Sequence, residues 1–135
     1  MAVRDLVGVL EEGSALSPEV PGNARVTLRM TQGSTLVVRL AVVTLAGVPV
    51  DLAVGPATVN LTVKRRSDGA AVLNVVGVLL PISGPNCATF SLSASATKYV
   101  DPGRYVYDVW MVHPGGRDAI VPMSPFVLEP GLQLP

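Results

Sequence analysis

His113 and Cys87 are the only histidine and the only cysteine in the chain, and they bound the chemistry it can perform. A zinc site built from imidazole and thiolate converges three or four ligands, which two such residues do not supply. Cys87 as a nucleophile would need a cationic neighbour to lower its thiol pKa, and the surrounding Asn-Cys-Ala-Thr-Phe-Ser-Leu carries none. A lone cysteine also forms no internal disulfide. His113 precedes Pro114-Gly115-Gly116, with no hydroxyl or thiol close in sequence, so an exposed turn histidine is expected rather than a general base. Asp51, Asp68, Asp101, Asp108 and Asp118 are scattered, whereas a calcium loop needs dense oxygen ligands at fixed spacing. No catalytic residue, cofactor-binding residue or metal ligand is assigned, no cofactor is expected, and the chain is expected not to be an enzyme.

The residues that remain are suited to contacts. Lys64, Arg65 and Arg66 form a basic cluster at a predicted hairpin. It reads either as a solvated tip or as a contact for a protein partner; without interleaved aromatics it is a poor nucleic-acid signal. Val3, Leu6, Val7 and Leu10 recur near the N-terminus and are expected to cover a groove on a neighbouring subunit. Tyr105 and Tyr107 fall on one face of a predicted strand and Trp110 on the other. A core role is therefore expected for the tyrosines rather than a sugar-binding platform, with Tyr105 placed where a tyrosine corner would sit.

These residues must be positioned by a single domain, since the chain has 135 residues. Ten basic and ten acidic residues leave a net charge of +0, which argues against a general nucleic-acid binder that works by displacing counterions. Charged residues make up only 15%, against about 25% in a typical soluble domain. Such scarcity predicts exposed apolar surface, and therefore contact with other proteins. Arg4, Asp5, Glu11 and Glu12 interrupt the N-terminal stretch, so no secretory signal is read there. Residues 40–63 hold a single charge, Asp51, but Gly47, Pro49, Gly55 and Pro56 break them up. Two strands fit better than a membrane helix, and a soluble protein made in a cytoplasm is expected.

Residues 1–24 read as an arm and linker. Val3, Leu6, Val7 and Leu10 suit a short amphipathic helix over residues 3–12; Gly8 weakens it by about 1 kcal/mol, and an extended arm is the competing reading. From Arg25 the hydrophobic period becomes two. Strands are predicted over 25–30, 34–43, 57–64, 72–80, 88–92, 103–112 and 119–128, with turns at Thr31-Gln-Gly-Ser34 and Ser67-Asp-Gly-Ala70. Pro122 and Pro125 should confine the last strand to an edge or force bulges. About seven strands with turns between them indicate an all-β sandwich rather than a barrel.

Three segments stand in a recognisable order: Met30–Leu52 with its Thr-Gln-Gly-Ser turn, Thr58–Asn74 with its basic hairpin, and Asp101–Val121 opening on Pro-Gly-Arg-Tyr-Val-Tyr-Asp. Together they resemble the immunoglobulin-like domain of bacteriophage baseplate upper proteins and related tail-fibre virion proteins, over roughly residues 25–129. The resemblance implies an immunoglobulin-like β-sandwich of about seven strands with an N-terminal arm at 1–24 and a short tail at 130–135. It implies a structural protein of a virion: an adaptor in the tail or baseplate, alternatively a capsid decoration protein or a free binding module for carbohydrate or a host surface protein. The implied partners are other virion proteins and further copies of the chain in a symmetric assembly, with no specific nucleic acid and no membrane.

Overall fold

The structure is a computed structural model, and the described residues are 2–10, 26–44, 58–79, 87–113 and 116–131. They form nine strands and one helical turn: β1 Ala2–Leu10, β2 Leu28–Thr31, β3 Leu36–Thr44, β4 Thr58–Arg65, β5 Ala71–Val76, β6 Val78–Leu79, β7 Cys87–Leu92, α1 Ala94–Thr97, β8 Gly103–His113 and β9 Gly116–Glu129. A four-stranded sheet has the order β1-β3-β7-β6, and a five-stranded sheet has the order β2-β9-β8-β4-β5. The chain is an all-β sandwich, as the alternating pattern predicts. Two strands exceed the expected seven. One is β1; the other arises because residues 72–80 split at Gly77, where the chain leaves one sheet for the other.

Alternation explains the layers. In β3, Leu36, Val38, Leu40 and Val42 are fully buried, while Val37, Arg39, Ala41 and Val43 point outward. Val59, Leu61 and Val63 of β4, Phe90 and Leu92 of β7, and Tyr107 and Val109 of β8 complete the same core from both sheets. Side chains of a strand point to opposite faces in turn, so a period of two leaves one face for the core. Gly77 is small for a packing reason: a Cβ there would lie 3.0 Å from the Phe90 ring.

Of the two readings of the N-terminal segment, helix and extended arm, the structure takes the extended one. Residues 2–10 are extended, not helical, and β1 lies parallel to β3, with Leu6 in register with Leu40. The domain boundary expected at residue 24 therefore does not separate an arm from the sandwich, because β1 belongs to one of its sheets. The spacing of Val3, Leu6 and Val7 is helical, but pairing with β3 holds the segment extended, which turns Leu6 into the core and leaves Val3 and Val7 on the outer face. Leu6 is 4% exposed within the core, and Gly8 packs against Ile120 of β9.

The last strand reconciles both expectations about its prolines. β9 lies between β2 and β8, but β2 pairs with it only over Phe126–Glu129. Pro122 and Pro125 lie outside that stretch, where a missing N–H leaves no bond to β2 unmade. Opposite Asp108 the β8–β9 register skips Pro122 and Met123, and a second irregularity skips Ile120. Such bulges re-aim side chains, and here both Ile120 and Val121 are buried.

The two predicted turns are present. Gly33 and Gly69 adopt φ of 82° and 70°, a region open to glycine. Asp68 Oδ1 accepts from the Ala70 N–H at 3.0 Å. Gln32 anchors the neighbouring corner: its Nε2 donates to the Val100 carbonyl at 2.8 Å, and the Gly33 N–H donates to Thr97 Oγ1 at 3.2 Å.

Candidate binding cleft

The outer face of the five-stranded sheet carries a row of arginines. Arg29 of β2 and Arg104 of β8 are both in register with Val127 of β9, one on either side of it. Arg65, the last residue of β4, is in register with Tyr105, and Arg66 follows it into the turn. Arg29, Arg66 and Arg104 line an open cleft of about 600 Å³, together with Val106, Met123, Pro125 and Val127. The lining is mixed: three arginines, Thr27 and Ser124 stand beside the apolar residues, of which Met123 is 54% exposed.

Charge compensation in the cleft is partial. Arg29 Nη1 lies 3.4 Å from Glu129 Oε1, with both side chains exposed. Arg66 and Arg104 meet no carboxylate among the described residues.

The fold separates the expected hairpin cluster of Lys64, Arg65 and Arg66 into three different roles. Lys64 is engaged internally, its Nζ 2.8 Å from Asp108 Oδ2. Arg65 pairs within the turn with Asp68 at 3.4 Å. The backbone bond from Ala70 is the main influence holding the Asp68 carboxyl below its ordinary range. Arg66 alone joins the cleft. Arg29 and Arg104 were not singled out by sequence; each occupies an outward position of its strand, and that alternation was the signal for their exposure.

The N-terminal contact residues are divided too. Val3 and Val7 are each 47% exposed on the outer face of the four-stranded sheet, whereas Leu6 faces the chain's own core. Leu6 is thus not available as expected for a neighbouring subunit, because alternation in β1 turns it inward. Leu10 ends β1 in register with Thr44, and its side chain lies outside the described part.

The aromatic residues take the expected faces. Tyr105 and Tyr107 are buried, and Trp110 stacks under the Arg117 guanidinium at 4.6 Å on the opposite face. The Tyr105 hydroxyl donates to the Asp101 backbone carbonyl, the bond that defines a tyrosine corner. Burial, followed by the nearby Asp101 charge, raises its pKa. The Tyr107 hydroxyl donates to the Val26 carbonyl at 2.6 Å. Burial pushes its pKa up to about 12, with Ser124 opposing.

Cys87 begins β7 opposite Ala41. His113 ends β8 opposite Gly116, and its side chain lies outside the described part. Among the described residues no three His, Cys, Asp or Glu side chains gather as metal ligands. Among them, too, no helix is long and apolar enough to cross a membrane.

No family model matches the sequence, and no curated protein does. Among solved structures, an uncharacterized protein from Bacillus anthracis str. Ames aligns at a TM-score of 0.44 and 14% identity, over 79% of this chain and 81% of that one. The N-terminal domain of phage TP901-1 ORF48 aligns at a TM-score of 0.50 and 11% identity, over 96% of this chain and 99% of that one. At this identity the likeness is one of fold, and the chain shares its β-sandwich with the N-terminal domain of a phage protein.

Proposed function

We propose that this chain is a non-enzymatic structural protein of a bacteriophage virion, an adaptor in the tail or baseplate that works through protein–protein contacts. The observation that carries this reading is the correspondence of fold with the phage domain, which spans nearly the whole of both chains. The three segments that resemble baseplate upper proteins support it independently of the fold. So does the surface, which combines a low charge content with outward-facing Val3, Val7, Val78 and Met123. Surface of this kind suits a part that is covered by neighbours.

The test is mass spectrometry of purified particles from a phage encoding the chain, followed by separation of tails from capsids. The chain is expected in the tail fraction at a constant ratio to the other tail proteins. Its recovery with capsids would replace the adaptor by a decoration protein. Abundance in the lysate with absence from particles would overturn a virion role altogether.

A further inference from the structure

We propose that the cleft bounded by Arg29, Arg66 and Arg104 is the docking site for an acidic, extended segment of a neighbouring protein. This deepens the adaptor reading and rests on it.

The first argument is charge. The chain as a whole is neutral, yet the strand order gathers three guanidinium groups around one cleft, and only Arg29 meets a carboxylate there among the described residues. By contrast, Arg39 is held by Asp5, Lys64 by Asp108 and Arg65 by Asp68. Arg66 and Arg104 offer forked donors that match a carboxylate two bonds at a time.

The second argument is spacing. Arg29 and Arg104 flank Val127 on the two neighbouring strands, which places their backbones about 10 Å apart. Alternate residues of an extended chain share one face and stand about 7 Å apart, a spacing that two long arginine side chains can close on from the two flanking strands.

The third argument is the lining. Val127 lies between Arg29 and Arg104, Val106, Met123 and Pro125 line the same cleft, and apolar residues of the bound segment would cover them. A nucleic-acid strand would gain little from that surface, and three cations fall short of the broad positive field such a ligand needs.

The probe is a fluorescein-labelled octapeptide of alternating Glu and Val, titrated against the full chain by anisotropy. A Gln–Val peptide and a labelled dodecamer of deoxythymidine serve as comparisons. The Glu–Val peptide is expected to bind at least about tenfold tighter than the Gln–Val peptide. The double variant Arg66→Gln, Arg104→Gln should abolish that preference while melting at an unchanged temperature, since both residues are exposed. Equal binding of the two peptides, or an unaltered preference in the double variant, overturns the proposal. Tighter binding of the oligonucleotide overturns it in favour of a phosphate site. A variant with Glu11, Glu12 and Glu19 changed to Gln probes occupation by the chain itself. If only that variant binds the Glu–Val peptide, the cleft's occupant is the chain's own acidic segment and the neighbouring partner is overturned. Failure here is distinct from failure of the adaptor reading: a chain found in particles but indifferent to the Glu–Val peptide overturns the cleft alone.

Discussion

Lys64 Nζ lies 2.8 Å from Asp108 Oδ2, joining β4 to β8 opposite the bulge at Pro122 and Met123. The Asp108 side chain is 8% exposed and that of Lys64 29%. Among the described residues Asp108 Oδ1 has no hydrogen-bond partner, so the ammonium is the main compensation for this carboxylate. Removing one partner of a buried pair strands the other charge. Lys64→Met should therefore cost about 2–4 kcal/mol, below the upper range for fully buried pairs because Lys64 keeps some water. Asp108→Asn, which removes the charge itself, should cost less. Urea denaturation of the two variants checks the order, and equal losses would refute this account of the pair.

Alkaline pH should expose the burial of Tyr107. Its folded-state pKa stands at about 12 against an ordinary 10.0, so the unfolded chain releases its proton first. Stability is then intact below pH 10 and drains as pH rises from about 10 to 12, by about 2–3 kcal/mol in all. Tyr107→Phe should flatten much of that loss, and at neutral pH it should cost about 1 kcal/mol for the bond to Val26. Tyr105 shifts in the same direction, so some slope should persist. Denaturation midpoints of both proteins across this range decide it; identical slopes would show that Tyr107 does not carry the effect.

β1 should be held by Leu6 and not by its surface ion pair. Arg39 Nε lies 2.8 Å from Asp5 Oδ1, but the two side chains are 55% and 72% exposed. Asp5→Ala should cost less than about 1 kcal/mol. Leu6→Ala, in the core, should cost about 2–4 kcal/mol. Thermal melts of the two variants provide the comparison. A larger loss for Asp5→Ala would mean that β1 is attached from outside.

Gly77 should not tolerate even one methyl group. A Cβ there would meet Phe90 Cε1 at 3.0 Å and Ala88 Cβ at 3.2 Å, while the Gly77 N–H donates to the Val59 carbonyl at 2.7 Å and resists displacement. Gly77→Ala should cost about 1–3 kcal/mol by overpacking. Adding Phe90→Leu should return part of that loss, measured as non-additivity in a double-mutant cycle. Full additivity would place the strain elsewhere.

The sequence by itself determined the strands from β2 onward, apart from the split at Gly77, and the faces they present. Side-chain direction alternates along any extended chain, so Val59, Leu61 and Val63 are legible as core and Lys64 as outward before any partner is known. The same alternation put Tyr105 and Tyr107 opposite Trp110. The turns at Gly33 and Gly69 were legible because few residue types accept their backbone angles. Only the tertiary structure decided the rest. Val3, Leu6, Val7 and Leu10 have helical spacing, yet the parallel partner β3 holds the segment extended and sets Leu6 on the face opposite Val3 and Val7. Lys64, Arg65 and Arg66 are adjacent in sequence, but Asp108, Asp68 and the cleft separate their roles. Arg29, Arg66 and Arg104 lie far apart along the chain and become neighbours only through the order β2-β9-β8-β4. Strand order is set by which edges meet across long loops, and no local pattern of residues encodes that.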